Sequence, residues 1–73
     1  MNAAAIRYRI IVEPLDQADG GGFLATVPDL PGCMADGETP EEAVVSVQDA
    51  IAAWVEEARQ TGRAIPEPSR AAA

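Results

Sequence analysis

The sequence predicts an α+β fold: a three-stranded antiparallel meander, one long helix packed on one face, and a short terminal edge strand. Three observations carry this. Two stretches, 6–13 and 22–28, alternate apolar and polar residues with the two-residue period of half-buried strands. Turn residues punctuate them at Asp19-Gly20-Gly21-Gly22 and at Pro31-Gly32. Finally, Thr39 and Glu42 have capping-box spacing, with Pro40 at the first helical position, and a long apolar stripe follows.

In the first strand, Ile6, Tyr8, Ile10 and Val12 share one face, and Arg7, Arg9, Ile11 and Glu13 the other. Pro14 should stop it, because proline cannot donate into a ladder. Residues 15–21 form a polar connection ending in the glycine run, a hairpin reversal. In the second strand, Phe23, Ala25 and Val27 oppose Leu24 and Thr26. At Pro31-Gly32 the proline presets φ near −65° and the glycine supplies a positive φ. This leaves room only for a short third strand, Cys33 to Asp36.

The helix is expected from Pro40 to Thr61. Val44, Val47, Ile51, Trp54 and Ala58 recur at three- and four-residue steps and make the apolar stripe. Glu41 and Glu42 favour its N-terminal end, Arg59 its last turn, and Gly62 its C′ position. Val45 and Val55 fall off the stripe and suggest a subunit contact. Ile65 supplies the edge segment, before an extended tail over 66–73 that begins Pro66-Glu67-Pro68-Ser69.

Seventy-three residues make a single domain, 1–73, with a marginal core of its own, for which self-association is a common remedy. A homo-oligomer, dimer or higher, is therefore expected. Cys33 stands alone, so no intrachain disulfide can form, which fits a reducing cytoplasm. No apolar run approaches the roughly 20 residues of a membrane span, and Met1 to Ile6 lacks signal-peptide character. Twelve acidic residues against five arginines give a net charge of −7, a field that repels phosphate backbones and attracts basic proteins.

The chemistry of catalysis is hard to assemble. Without histidine and with one cysteine, ordinary zinc sites and Cys–His or Ser–His nucleophile systems cannot be built within the chain. Glu13, Asp29 and Asp36 lie near strand ends, but no spacing resembles a metal loop, and solvated turn residues are the plainer reading. The glycine run precedes a strand and lacks the Gly-Lys-Ser/Thr of a phosphate loop. Cys33, entering a strand after a turn, reads as a small buried apolar residue. No enzyme activity, cofactor or metal is expected.

Tyr8 to Glu13, Gly22-Phe23-Leu24-Ala25-Thr26-Val27-Pro28-Asp29-Leu30-Pro31-Gly32-Cys33, Gly37-Glu38-Thr39-Pro40-Glu41-Glu42-Ala43 and Ile65-Pro66-Glu67-Pro68-Ser69 together resemble the HicB-type antitoxins. The resemblance implies a partial ribonuclease-H-like fold in the order β-β-β-α-β without nuclease activity. It also implies a partner: a HicA-type toxin, a small basic ribonuclease that cleaves mRNA, neutralised within a type II toxin–antitoxin system. The alternative is a solitary HicB-like homo-oligomer that binds another protein or a small ligand. A carboxylate metal nuclease on the same scaffold comes third. Full-length members usually continue into a DNA-binding domain, which this sequence does not include, so operator binding is not carried over and no direct nucleic-acid contact is expected. The candidate partner-binding residues are Asp29, Asp36 and Glu38, taken as lying around the central turn, with Glu13 at the end of strand one. Pro31, Gly32, Thr39, Pro40 and Glu42 are assigned structural roles in the turn and the helix cap.

Overall fold

The computed structural model describes residues 7–68. Expectations for Ile6, Ser69 and residues 70–73 fall outside that range. The described chain runs β1 (Ile11–Pro14), a 3₁₀ turn (Gln17–Asp19), β2 (Phe23–Thr26), β3 (Met34–Gly37) and α1 (Pro40–Thr61). The strands form one antiparallel sheet in the order β1-β2-β3, as the meander requires.

The helix has the bounds read from its signals. Thr39, in extended backbone, accepts the Glu42 N–H on its Oγ1 at 3.1 Å. The Glu42 carboxylate reaches back to the backbone N–H of Glu38 at 3.1 Å, one residue before the cap residue that a standard capping box would use. Gly62 closes the helix with φ 76°, and both its N–H and that of Arg63 bond the Ala58 carbonyl. The buried stripe is Ala43, Val47, Ile51 and Ala58, with Trp54 and Val55 partly buried against the core. Val55 thus packs on the core side and does not fall off the stripe as the sequence suggested. Val45 does fall off it, at 61% exposure.

The first two strands are shorter than the alternation suggested, and the third is shifted by one residue, to Met34–Gly37 instead of Cys33 to Asp36. β1 begins only at Ile11, although Tyr8 is buried and Ile10 packs on the core as the pattern demands. β1 ends at Pro14, as expected, although the proline itself still pairs with Phe23. An outer strand tolerates a proline, whose missing N–H leaves no ladder bond unmade on the open side. β2 leaves the ladder after Thr26, as Pro28 approaches without a donor.

Residues 27–33 fold into two successive turns. Leu30 N–H bonds the Val27 carbonyl, Cys33 N–H bonds the Leu30 carbonyl, and Val27 N–H closes the loop on the Cys33 carbonyl. Gly32 takes φ 79°, as the turn chemistry requires. This path drives Leu30 inward, where it is fully buried and ranks with Ile51 and Val47 as the largest such side chains. The core also takes in Ala25, Val27 and Cys33.

The terminal edge strand does not form: residues 63–68 enter no ladder among the described residues, and Ile65 remains exposed. Pro66 and Pro68 bring no N–H to donate. Side-chain contacts hold the segment instead: the buried Tyr8 donates its hydroxyl to the Pro66 carbonyl at 2.6 Å.

Candidate functional site

The register decides which candidate residues meet. Across the sheet, Val12 stands opposite Ala25 and Ala25 opposite Ala35, and Ala25 is fully buried beneath the helix. Neighbours along a strand point to the opposite face. The other face therefore carries two rows, Ile11–Thr26–Met34 and Glu13–Leu24–Asp36. Its end positions are exposed and its central ones half-buried.

Glu13 and Asp36 thus share one row, two strand spacings apart, or about 10 Å between backbones. Asp29 and Glu38 lie elsewhere. Asp29 sits in the turn between β2 and β3, half-buried, where its charge acts on Tyr8. Glu38 follows Gly37 at the far end of β3, beside the start of the helix. The acidic candidates are therefore spread from one end of β3 to the other and do not gather around the turn.

An open cavity of about 850 Å³ lies at that far end, between the glycine run 20–22 and the first turns of α1. Asp36, Glu38, Glu41 and Glu42 line it. The Glu42 carboxylate is already committed to the Glu38 N–H. Among the described residues, no group of three or more Asp, Glu, Cys or His side chains is placed to hold a metal ion. A second hollow, of about 240 Å³, runs beside Cys33 and Trp54. There the Trp54 Nε1–H donates to the Pro31 carbonyl at 3.0 Å and Arg63 stacks over the indole at 5.1 Å. These contacts tie the turn to the helix.

Two groups carry shifted proton affinities. Burial pushes the Tyr8 phenol up, and the charges of Asp29 and Glu67 push it further. Burial alone raises the Cys33 thiol, so the neutral, unreactive form is favoured, as a packing role requires.

Residues 8–73 match the family described as a HicB-like antitoxin of a bacterial toxin-antitoxin system. The chain belongs to the HicB-like antitoxin family. It is 31% identical over 61 residues to the UPF0150 protein Ta0767 of Thermoplasma acidophilum, covering 84% of both chains. It is 34% identical over 61 residues to the UPF0150 protein ssl0259 of Synechocystis, covering 84% of this chain and 80% of that one. It is 32% identical over 63 residues to Antitoxin HicB 1 of Photorhabdus laumondii, covering 86% of this chain but only 39% of that protein. The HicB-like match thus takes in the sheet, the helix and the segment that Tyr8 anchors. No helix of the described residues is long and apolar enough to cross a membrane.

Sequence reasoning missed two residues that shape the site. Gly37 lies so close to the helix that a Cβ there would stand 2.5 Å from the Ala43 nitrogen and 2.7 Å from the Glu42 carbonyl carbon. Leu30 was hidden among proline, aspartate and glycine, a composition that reads as solvent-exposed turn. Its place between two prolines, as the one large apolar residue of the loop, was the available signal.

Proposed function

We propose that this chain is a protein antitoxin that binds and neutralises a HicA-type toxin, a small basic ribonuclease that cleaves mRNA, in the cytoplasm. The family match over residues 8–73 carries the reading. The net charge of −7 supports it, since an acidic surface steers toward a basic protein and away from RNA itself. On this reading the chain acts by occupying the toxin and performs no catalysis. The test is to titrate the chain into an RNA-cleavage assay of a purified HicA-type toxin. Cleavage should fall to zero near stoichiometric addition, and the two proteins should co-purify. Cleavage that is unaffected by a molar excess overturns the reading.

The chain is further expected to self-associate. Both outer strands, β1 and β3, present an open edge among the described residues, and Val45 adds exposed apolar surface on the helix. Light scattering at micromolar concentration should give a multiple of 7.6 kDa, and the monomer mass would defeat this expectation.

A further inference from the structure

We infer that the toxin docks on the outer face of the sheet, and that it presents there an apolar centre flanked by Arg or Lys side chains. This rests on the antitoxin reading and assigns it a surface. Four large apolar side chains stand exposed among the described residues: Ile11, Met34, Val45 and Ile65. Two of them, Ile11 at 42% and Met34 at 53%, share one row of this face, with half-buried Leu24 in the next. Protein interfaces put apolar anchors at the centre and charge at the rim. Here Glu13 and Asp36 occupy the two rim positions on either side of Leu24; the two rows contain no basic residue, while the exposed Arg7 and Arg9 continue the Ile11 side of the chain ahead of β1, at the opposite end of the face.

The charges select the occupant. A second copy laid face to face would bring two chains of net charge −7 together, and nucleic acid would bring phosphates against Glu13 and Asp36. A basic protein surface meets both the apolar centre and the acidic rim. The cavity at the helix start has more carboxylates, but one of them caps the backbone and only Val45 offers an apolar anchor there.

The experiment compares four proteins for association with the purified HicA-type toxin at two ionic strengths, each checked by a denaturation curve. These are the unsubstituted chain, Met34→Glu, the face pair Glu13→Gln with Asp36→Asn, and the cavity pair Glu38→Gln with Glu41→Gln. Both pairs remove two charges, so a difference between them does not report net charge; because Asp36 also lines the cavity, an effect of the face pair is assigned to the face only where the cavity pair has none. The altered side chains are all exposed, so the fold should survive. Met34→Glu is expected to weaken the complex by at least about tenfold, by placing a charge in the apolar centre. The face pair should slow association several-fold and flatten its salt dependence, while the cavity pair behaves like the unsubstituted chain. Unchanged binding by Met34→Glu and the face pair overturns the assignment, as does impairment confined to the cavity pair. A Met34→Glu chain that loses self-association but keeps the toxin would give the face to a second copy, and overturns it too. Failure of the unsubstituted chain to bind at all removes the antitoxin reading, and this surface with it.

Discussion

Gly37→Ala should destabilise the chain, although the same change at an ordinary glycine has the opposite sign. Gly37 is not among the glycines with positive φ, so alanine meets no backbone strain there. In open space it would then stabilise by about 0.4–1 kcal/mol, through the reduced entropy of the unfolded chain. The space is not open. The added carbon would stand 2.5 Å from the Ala43 nitrogen, 2.7 Å from the Glu42 carbonyl carbon and 2.8 Å from its Cβ. Favourable contacts lie near 3.5–4.0 Å, so the start of α1 must retreat by about 1 Å. Two of these atoms are backbone, and the retreat strains the Thr39 and Glu42 caps as well. Overpacking of this kind costs about 1–3 kcal/mol, against roughly 4–10 kcal/mol for a whole domain of this size. With a urea slope near 1 kcal/mol/M, the midpoint should fall by about 2 M. Urea unfolding followed by helical circular dichroism reads this directly. A midpoint equal to or above that of the unsubstituted chain would refute the close approach of β3 to the helix.

Four further outcomes are expected. Gly32→Val forces a β-branched residue to φ 79° and should cost about 1–3 kcal/mol, seen as a lower melting midpoint; an unchanged midpoint would show the turn to be misassigned. Tyr8→Phe removes the hydroxyl that holds Pro66, so residues 63–68 should exchange amide hydrogens and be cleaved faster, at a cost of about 1 kcal/mol; equal exchange there argues against the anchor. Ile51→Ala should cost roughly 2–5 kcal/mol, whereas Trp54→Phe should cost only about 1 kcal/mol, because it deletes the bond to Pro31 and keeps most of the packing; a Trp54→Phe loss as large as that of Ile51→Ala would mean the indole is a core group. Stability should decline in alkali: Tyr8 and Cys33 have folded-state affinities raised above 10.0 and 9.0, so their contributions are full below those values and lost as the pH rises through the raised ones. A stability that stays flat from about pH 8 to about pH 11 contradicts this.

The helix was legible to the residue because its signals are local. Thr39, Pro40 and Glu42 fix one end and Gly62 the other, with no help from distant chain. The strand faces were legible as well, since alternation survives whether or not a ladder forms; Tyr8 is buried although it precedes β1. Strand limits were not, because they depend on partners: β1 starts where β2 can still oppose it, and Pro14 is admitted because its strand is an outer one. Gly37 could not be singled out, since its contact joins a strand to a helix. The terminal strand was expected from Ile65, yet the flanking prolines offer the sheet no donors. At the site, residue types were readable but grouping was not. Glu13, Asp29, Asp36 and Glu38 all look alike in sequence, and only the register sets Glu13 and Asp36 in one row.

That register also bears on how a chain this small can present a binding surface. Small residues meet where the helix crosses the inner sheet face, Ala25 on β2 and Ala43 on α1 both fully buried, so the helix lies tightly against the strands. The turn is fastened to the helix through Pro31 and Trp54, and the C-terminal segment to the start of the sheet through Tyr8 and Pro66. These long-range ties hold the three short strands in fixed relation, which keeps Glu13, Leu24 and Asp36 in line before any partner arrives. Binding to a surface already in place loses less conformational entropy than binding to one that must be ordered, so a modest patch yields more affinity per unit area. In the proposed complex the rim charges would act chiefly before contact, by raising the rate at which a basic partner finds the face. A division of labour follows for the proposed complex: Met34 and Ile11 should govern its lifetime, and Glu13 and Asp36 the speed of its formation.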